Sequence, residues 1–405
     1  MTWLDLPADT GFGLENLPYG VFSPADGRRR VGVAIGEWVL DAGAVAAATG
    51  APFAHLLAGP VLNPLLAAGR PAWQQVRRAL VEWLTEPAFA DLVRPHLQPR
   101  TGVRLHLPID VGDYVDFYAS EHHATNVGRI FRPDSDPLTP NWKHLPIGYH
   151  GRAGSVVVSG TPIVRPTGQR KGPADPAPVF GPSVRLDIEA EVGFVIGAGS
   201  ALGTSIPVTD FADHVFGVFL LNDWSARDIQ AWEYVPLGPF LGKSFATSVS
   251  PWIVPLDALH AARVAPPARV PQPLPYLRDA EDWGLDLAIE VRLNGHRLAC
   301  LPFATMYWTP AQMLAHLTVN GAPTRPGDIY ASGTVSGPER DQRGSLLELS
   351  WGGTQPLTLP DGATRTFLED GDEVTICATA PGPGASRIGF GEVSGTILPA
   401  ERRAS

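Results

Sequence analysis

Residues 184–194 read V-R-L-D-I-E-A-E-V-G-F, so every even-numbered position is apolar while Asp187, Glu189 and Glu191 recur on the odd ones. A period of two predicts a single β-strand with one apolar face and three carboxylates in a column on the other. Neighbours in such a column stand roughly 7 Å apart, which at an effective dielectric near 20 costs about 2 kcal/mol of repulsion per pair. A solvated acidic face would absorb that cost. A hard cation would reverse it, because Ca²⁺ and Mg²⁺ are held by carboxylate oxygens.

The remaining chain has the material to house such a strand. Its 405 residues are enough for two or three domains, or one large domain with a smaller partner. The composition is globular, with 44% hydrophobic and 18% charged residues, while 43 Gly and 41 Pro promise many turns. A formal charge of −10 argues against a nucleic-acid surface, so an anionic ligand must meet a local cluster of Arg and Lys. Cys300 and Cys377 are too few for a disulfide framework and wrongly spaced for zinc, and read as small core residues. The first ten residues lack the basic and apolar regions of a leader, and no apolar run approaches the roughly 18 residues that span a membrane. A soluble, reduced, cytoplasmic protein is expected.

Short apolar runs within residues 19–40, broken by Pro24, Gly27 and Gly36, predict strands of a small barrel or sheet. Trp73, Val76, Leu80, Trp83 and Leu84 then recur at helical spacing until Pro87 stops them. We expect a first domain over residues 1–108. Beyond it, strands are predicted near 155–159, 184–196, 215–221, 285–293, 346–351 and 374–380. They are not separated by long helices, which favours a mixed or antiparallel sheet over a doubly wound one.

Three polar clusters could carry chemistry. In D-Y-V-D-F-Y-A-S-E-H-H-A-T-N, residues 113–126, Asp116 suits a hard cation, Tyr118 could anchor a polar group, and either His122 or His123 could act as a base. Adjacent residues point in different directions, so one of the two histidines is expected at a site. In the second cluster, residues 222–247, a buried strand delivers Asp223 at its end, and Arg227, Gln230 and Tyr234 follow at spacings that share a helical face. An ordinary helix cap by Asp223, Ser225 or Asp228 would explain the same residues. The third cluster runs from Y-A-S-G-T-V-S-G, residues 330–337, to G-S-L-L-E-L-S-W, where Glu348 lies between two leucines. A carboxylate inside an apolar strand needs a partner, and a histidine oriented by it would gain basicity.

These strings, together with P-N-W-K-H-L-P-I-G-Y-H-G-R at 140–152 and L-D-I-E-A-E at 186–191, closely resemble the fumarylacetoacetase (fumarylacetoacetate hydrolase) family. The resemblance runs colinearly over residues 109–400 and is weaker before them. It implies a mainly β protein with helices: a small SH3-like N-terminal barrel, then a large mixed β-sheet or β-roll catalytic domain over residues 109–405. It also implies a homodimer that takes a small-molecule diketo acid, with neither nucleic acid nor membrane as partner, and hydrolyses 4-fumarylacetoacetate to fumarate and acetoacetate at the end of tyrosine breakdown. Carried over by position, the Ca²⁺ or Mg²⁺ ligands become Asp116, Glu189, Glu191 and Asp223, with Lys243 and Thr247 beside a second Mg²⁺. The base becomes His123, oriented by Glu348. Arg227, Gln230 and Lys243 fall where negative charge must be stabilised, and Tyr118, Arg132, Tyr149, Gln230, Tyr234 and Thr334 fall on substrate contacts.

Two other readings compete. Related enzymes of the same superfamily hydrate, decarboxylate, tautomerise or hydrolyse other 2-oxo and diketo acids with a carboxylate-bound cation. A non-catalytic, cation-stabilised binding module would need the carboxylates alone, without a base or an oxyanion donor set.

Overall fold

The computed structural model describes residues 2–7 and 9–401. Alternation in the first forty residues produces the strands Tyr19–Ser23, Arg30–Ile35 and Trp38–Asp41, an antiparallel meander with Val21, Val31, Val33 and Leu40 buried. The meander stays open and does not close into a barrel. The helical spacing that follows becomes Arg70–Thr85, whose buried face is Trp73, Val76, Leu80, Trp83 and Leu84. Fully burying an apolar side chain of this kind is worth roughly 1.5–3 kcal/mol, so packing holds this helix down.

One large sheet runs through both parts of the chain. The N-terminal strand Tyr19–Ser23 pairs with Trp252–Pro255, which adjoins Val215–Asp223; then come Ala190–Ile196, Ile329–Ala331 and Tyr114–Phe117. A five-stranded sheet, which includes Ala288–Leu293, Glu373–Pro381 and Arg387–Leu398, covers one face. Val192, Phe194, Val218 and Leu220 join the core shared with Ile289, Ile376 and Phe390. Val195, Phe219 and Leu221 face the opposite way, into the core of the helix Arg70–Thr85 and the meander. The central strands are therefore buried on both faces, as uninterrupted apolar runs such as 215–221 require. The mainly β architecture with helices, in a smaller N-terminal and a larger C-terminal part, is what the chain adopts.

Three local expectations are corrected. Residues 184–194 do not form one strand: Leu186–Asp187 pairs with Ser225–Ala226 in a two-stranded sheet, and Ala190–Ile196 belongs to the large one. The pairing is interrupted at Ile188 and Glu189 without a change of register, and the Asp187 carboxylate there accepts from the backbone amides of Leu346 and Leu347. Residues 346–349 form a single helical turn, Leu346–Leu349, in place of the expected strand, with the Ser345 hydroxyl accepting from the Glu348 amide. Cys300 is exposed and Cys377 half-buried, on strands either side of Glu290, so neither is a core residue. Among the described residues, no helix is long and apolar enough to cross a membrane.

Candidate active site

Strand ends gather the carboxylates. Asp223 closes its strand, Glu191 is the second residue of the antiparallel neighbour, and Asp116 lies on Tyr114–Phe117, one strand beyond Ile329–Ala331. Glu189 enters from the break before Ala190, its carbonyl accepting from the Asp223 amide at 3.1 Å. Each of the four offers an oxygen within 4.8 Å of the others, and all four residues are buried. Gly333 seals one side: its amide donates to Asp116 Oδ1 at 3.2 Å and Glu191 Oε2 at 3.1 Å. Its φ of +73° and a Cβ position only 2.2 Å from the Phe117 carbonyl oxygen leave room for glycine alone.

Cations and donors fill part of this acidic space. Lys243 Nζ is paired with Glu189 and lies 2.8 Å from Asp223 Oδ2. Arg227 Nη1 lies 2.7 Å from Glu189 Oε1 and Arg227 Nε 2.8 Å from Asp187 Oδ2. Tyr149 donates to Asp223 Oδ2 at 2.9 Å and Thr247 to Asp223 Oδ1 at 3.1 Å. Glu191 Oε1 and Arg227 Nη2 are among the buried atoms at the site that have no partner among the described residues, as is Thr334 Oγ1. Such orphans are expensive unless a ligand meets them.

On the far side of Glu189 lies the histidine pair. The helix Glu121–Phe131 starts at Ser120, whose hydroxyl accepts from the His123 amide, and places His123 in the interior. His123 Nδ1 lies 2.7 Å from Glu348 Oε2, and His123 Nε2 lies 3.9 Å from Glu189 Oε1. Glu348 is fully buried and also accepts from Asn126 at 2.9 Å, Ser345 at 2.8 Å and Ser336 at 3.0 Å. His122 is only half-buried and lies outside this pair.

Comparison with known proteins fits this arrangement. The family model described as fumarylacetoacetate (FAA) hydrolase C-terminal matches residues 114–397, and the fumarylacetoacetase N-terminal model matches residues 15–108. The chain belongs to the fumarylacetoacetate hydrolase family. It is 47% identical to the fumarylacetoacetase of Homo sapiens, with 99% of each chain covered, and 48% identical to that of Arabidopsis thaliana, with 98% of each covered. Matched along nearly its whole length, it is a hydrolase of this type. Among solved structures, a fumarylacetoacetate hydrolase of Exiguobacterium antarcticum superposes with a TM-score of 0.56 at 19% identity, covering 95% of this chain and 99% of that one. A maleylpyruvate hydrolase of Sphingobium gives 0.52 at 17%, covering 95% and 100%. At these identities the structural likeness speaks to the fold alone.

The electrostatics of this family member split its site in two. Burial, followed by the charge of Asp223, pushes the Asp116 carboxyl up to about 7. Burial and Asp116 drive Glu191 well above the usual carboxylate range, and burial also raises Asp223. These acids fit a hard divalent cation, which would supply the missing positive charge and the partner Glu191 lacks. Burial opposes ionisation of Glu189 too, but Arg227 and Lys243 outweigh it and hold that carboxyl low. Glu348 is likewise held low, by His123 and its hydrogen-bond donors against burial. Lys243, despite its burial, is held protonated by Asp223 and Glu189. The Lys243 ammonium, paired with Glu189 and Asp223, has no lone pair to give a cation, so a ligand from Lys243 would be its backbone carbonyl, while Thr247 keeps a hydroxyl oxygen.

The expected substrate contacts divide. Tyr118 packs edge-on against His123, with ring centroids 5.3 Å apart, and burial, followed by the charge of Glu348, pushes its hydroxyl above the ordinary tyrosine range. Thr334 is buried with its hydroxyl unpartnered. Gln230 accepts from Arg227 Nη1 at 3.3 Å, which leaves its amide as a donor. Arg132 is half-buried and donates to the Pro137 carbonyl at 2.9 Å. Tyr234 caps the helix Arg227–Glu233, its amide donating to the Gln230 carbonyl at 3.0 Å, and its side chain is 42% exposed. Asn126, Ser336 and Ser345, which surround Glu348, were missed in the sequence, although Asn126 lies three residues after His123, on the same helical face.

Proposed function

We propose that this chain hydrolyses the carbon–carbon bond of 4-fumarylacetoacetate to give fumarate and acetoacetate, as the last step of tyrosine and phenylalanine catabolism. One observation carries the reading: a buried His–Glu pair and a buried carboxylate cluster meet at Glu189, with His123 Nε2 3.9 Å from Glu189 Oε1. A binding module has no use for the first of these, and water-driven cleavage of a diketone uses both.

Asp116, Glu189, Glu191 and Asp223 would hold Ca²⁺ or Mg²⁺, and the bound cation would supply Lewis-acid polarisation of the diketone oxygens. A second Mg²⁺ would rest on oxygens of Lys243 and Thr247. Glu348 fixes the imidazole of His123, which accepts a proton from water through Nε2. The water oxygen bonds to the carbonyl carbon on the fumaroyl side. Arg227 Nη2, the remaining proton of Lys243 and the Gln230 amide face the negative charge that develops, a kind of donor often worth about 3 kcal/mol. When the carbonyl re-forms, the carbon–carbon bond breaks and its electron pair leaves with the acetoacetate carbon. The imidazolium of His123 returns the proton there. Arg132, Tyr118, Tyr149 and Thr334 are proposed to read the substrate's carboxylates and oxygens; Tyr234 would have to swing inwards to take part.

Adding fumarylacetoacetate and following loss of diketone absorbance, with fumarate identified as product, tests the proposal. A hydrated or decarboxylated product would assign the chain to another chemistry of the superfamily. Exhaustive chelation is expected to lower both turnover and melting temperature. We further propose a cytoplasmic homodimer, to be checked by light scattering on the eluting protein.

A further inference from the structure

Asp187 is the one acid of the L-D-I-E-A-E segment outside the carboxylate cluster, and it is fully buried. All its acceptor capacity facing the site is taken. Oδ1 accepts from the Leu346 amide at 2.7 Å and from the Ile188 amide at 2.8 Å. Oδ2 accepts from the Leu347 amide at 3.0 Å and from Arg227 Nε at 2.8 Å. Leu346 and Leu347 immediately precede Glu348, the acid that holds His123. One carboxylate thus ties the guanidinium arm of the site to the backbone that carries the histidine's partner.

The ties on Arg227 are directional. A guanidinium has five N–H donors in a rigid plane. Asp187 takes the Nε edge, Glu189 and Gln230 take Nη1, and Nη2 is left buried without a partner. The Arg227 amide is fixed as well, donating to the Arg185 carbonyl at 2.9 Å. With backbone, Nε and Nη1 all held, the plane cannot rotate, so the direction of Nη2 is set by Asp187 as much as by Arg227.

We propose that Asp187 is a positioning residue for the reaction: it fixes the aim of Arg227 Nη2 relative to the His123–Glu348 pair while touching neither substrate nor cation. This rests on the assignment of those groups under the proposed function, which the wild-type product assay tests before any variant is made.

Asp187→Asn keeps the shape but replaces one acceptor oxygen with an NH₂ that must face two N–H groups, those of Leu347 and Arg227 or those of Leu346 and Ile188, so one of the two ties is lost. We expect kcat to fall roughly 100-fold, the scale of a misplacement of about 1 Å, with KM nearly unchanged. Calorimetric Mg²⁺ affinity should stay at the wild-type value. Asp187→Glu, which keeps the charge and guards against a variant that fails to fold, should also lose kcat, by about tenfold, because length alone moves the guanidinium. Asp41→Asn removes the partner of Arg30 in the N-terminal meander and controls for lost stability; it should leave kcat alone. In an Arg227→Lys background the Asp187→Asn effect should nearly vanish, since the edge it holds is gone. The proposal is overturned if the two losses multiply, if either folded Asp187 variant keeps wild-type kcat, or if Mg²⁺ affinity falls in step with kcat.

Discussion

Glu348 and Glu191 are both fully buried acids in one site, yet they live in opposite conditions. Four side chains, His123, Asn126, Ser336 and Ser345, point donors at Glu348, and its carboxyl is held below the usual range. Glu191 receives one backbone amide on Oε2, has nothing on Oε1, and is driven far above that range. A buried charge that the chain itself satisfies belongs to the scaffold and to orientation. One left short of partners is built to receive something from outside. Glu189 stands between the two conditions, paired by Arg227 and Lys243 yet within the carboxylate cluster, whereas Asp116 faces other acids.

The contrast can be broken experimentally, beginning with the largest effect. His123→Ala should lower kcat by about 10³-fold, within the range typical of a lost general base, while Mg²⁺ affinity holds. His122→Ala should turn over near the wild-type rate; the reverse pattern would move the base to His122. Glu191→Gln should weaken Mg²⁺ binding by roughly 100-fold in calorimetry, comparable to or beyond losses from outer-shell changes. The same variant, without cation, should melt no lower than wild type, because a repelled charge has been removed. Glu348→Gln should do the opposite. Leaving His123 and three donors against an amide should cost about 1–3 kcal/mol in urea unfolding, with cation affinity unchanged.

The smallest effect is in pH dependence, and the two kinds of acid give opposite signs. Asp116, raised to about 7, binds its proton more tightly folded than unfolded. Its contribution to stability is therefore complete below the ordinary carboxylate range and is lost as pH rises towards 7. Glu348, held low, contributes stability above the ordinary range and loses it as pH falls through its lowered value. Cation binding must displace the Asp116 proton, so affinity should climb with pH through about 7. Titrations in buffers of different ionisation heat, one unit either side, would show proton release on the acid side only.

Much of this was legible beforehand, and the failures share a cause. The motifs named Asp116, His123, Asp223 and Glu348, and the structure gathers them around Glu189. Alternation in residues 184–194 identified the buried face correctly, with Leu186, Ile188, Ala190, Val192 and Phe194 all in the core. It could not reveal that amides from residues 346–347 would take Asp187, because that contact spans some 160 residues. The turn at Glu348 was readable and overlooked: S-L-L-E has the spacing of a capping box, and Ser345 caps the Glu348 amide. Tyr234 keeps the helical spacing read from the sequence, its amide donating to the Gln230 carbonyl at 3.0 Å, but periodicity could not show that its ring would stand 42% exposed at the end of the helix.

The pairing of Tyr19–Ser23 with Trp252–Pro255 has a consequence for how this protein can be divided. A family-model boundary near residue 108 invites treating the first part as a detachable module. Its strand, however, covers the flank of the sheet that carries Asp223, two strands away from that residue's own strand. Cutting there would bare a row of unsatisfied N–H and C=O groups along a β-edge, the kind of surface that recruits other chains. The N-terminal part acts as the hem of the catalytic sheet, and a separately produced C-terminal part should be judged by whether it stays dispersed before it is judged by whether it works.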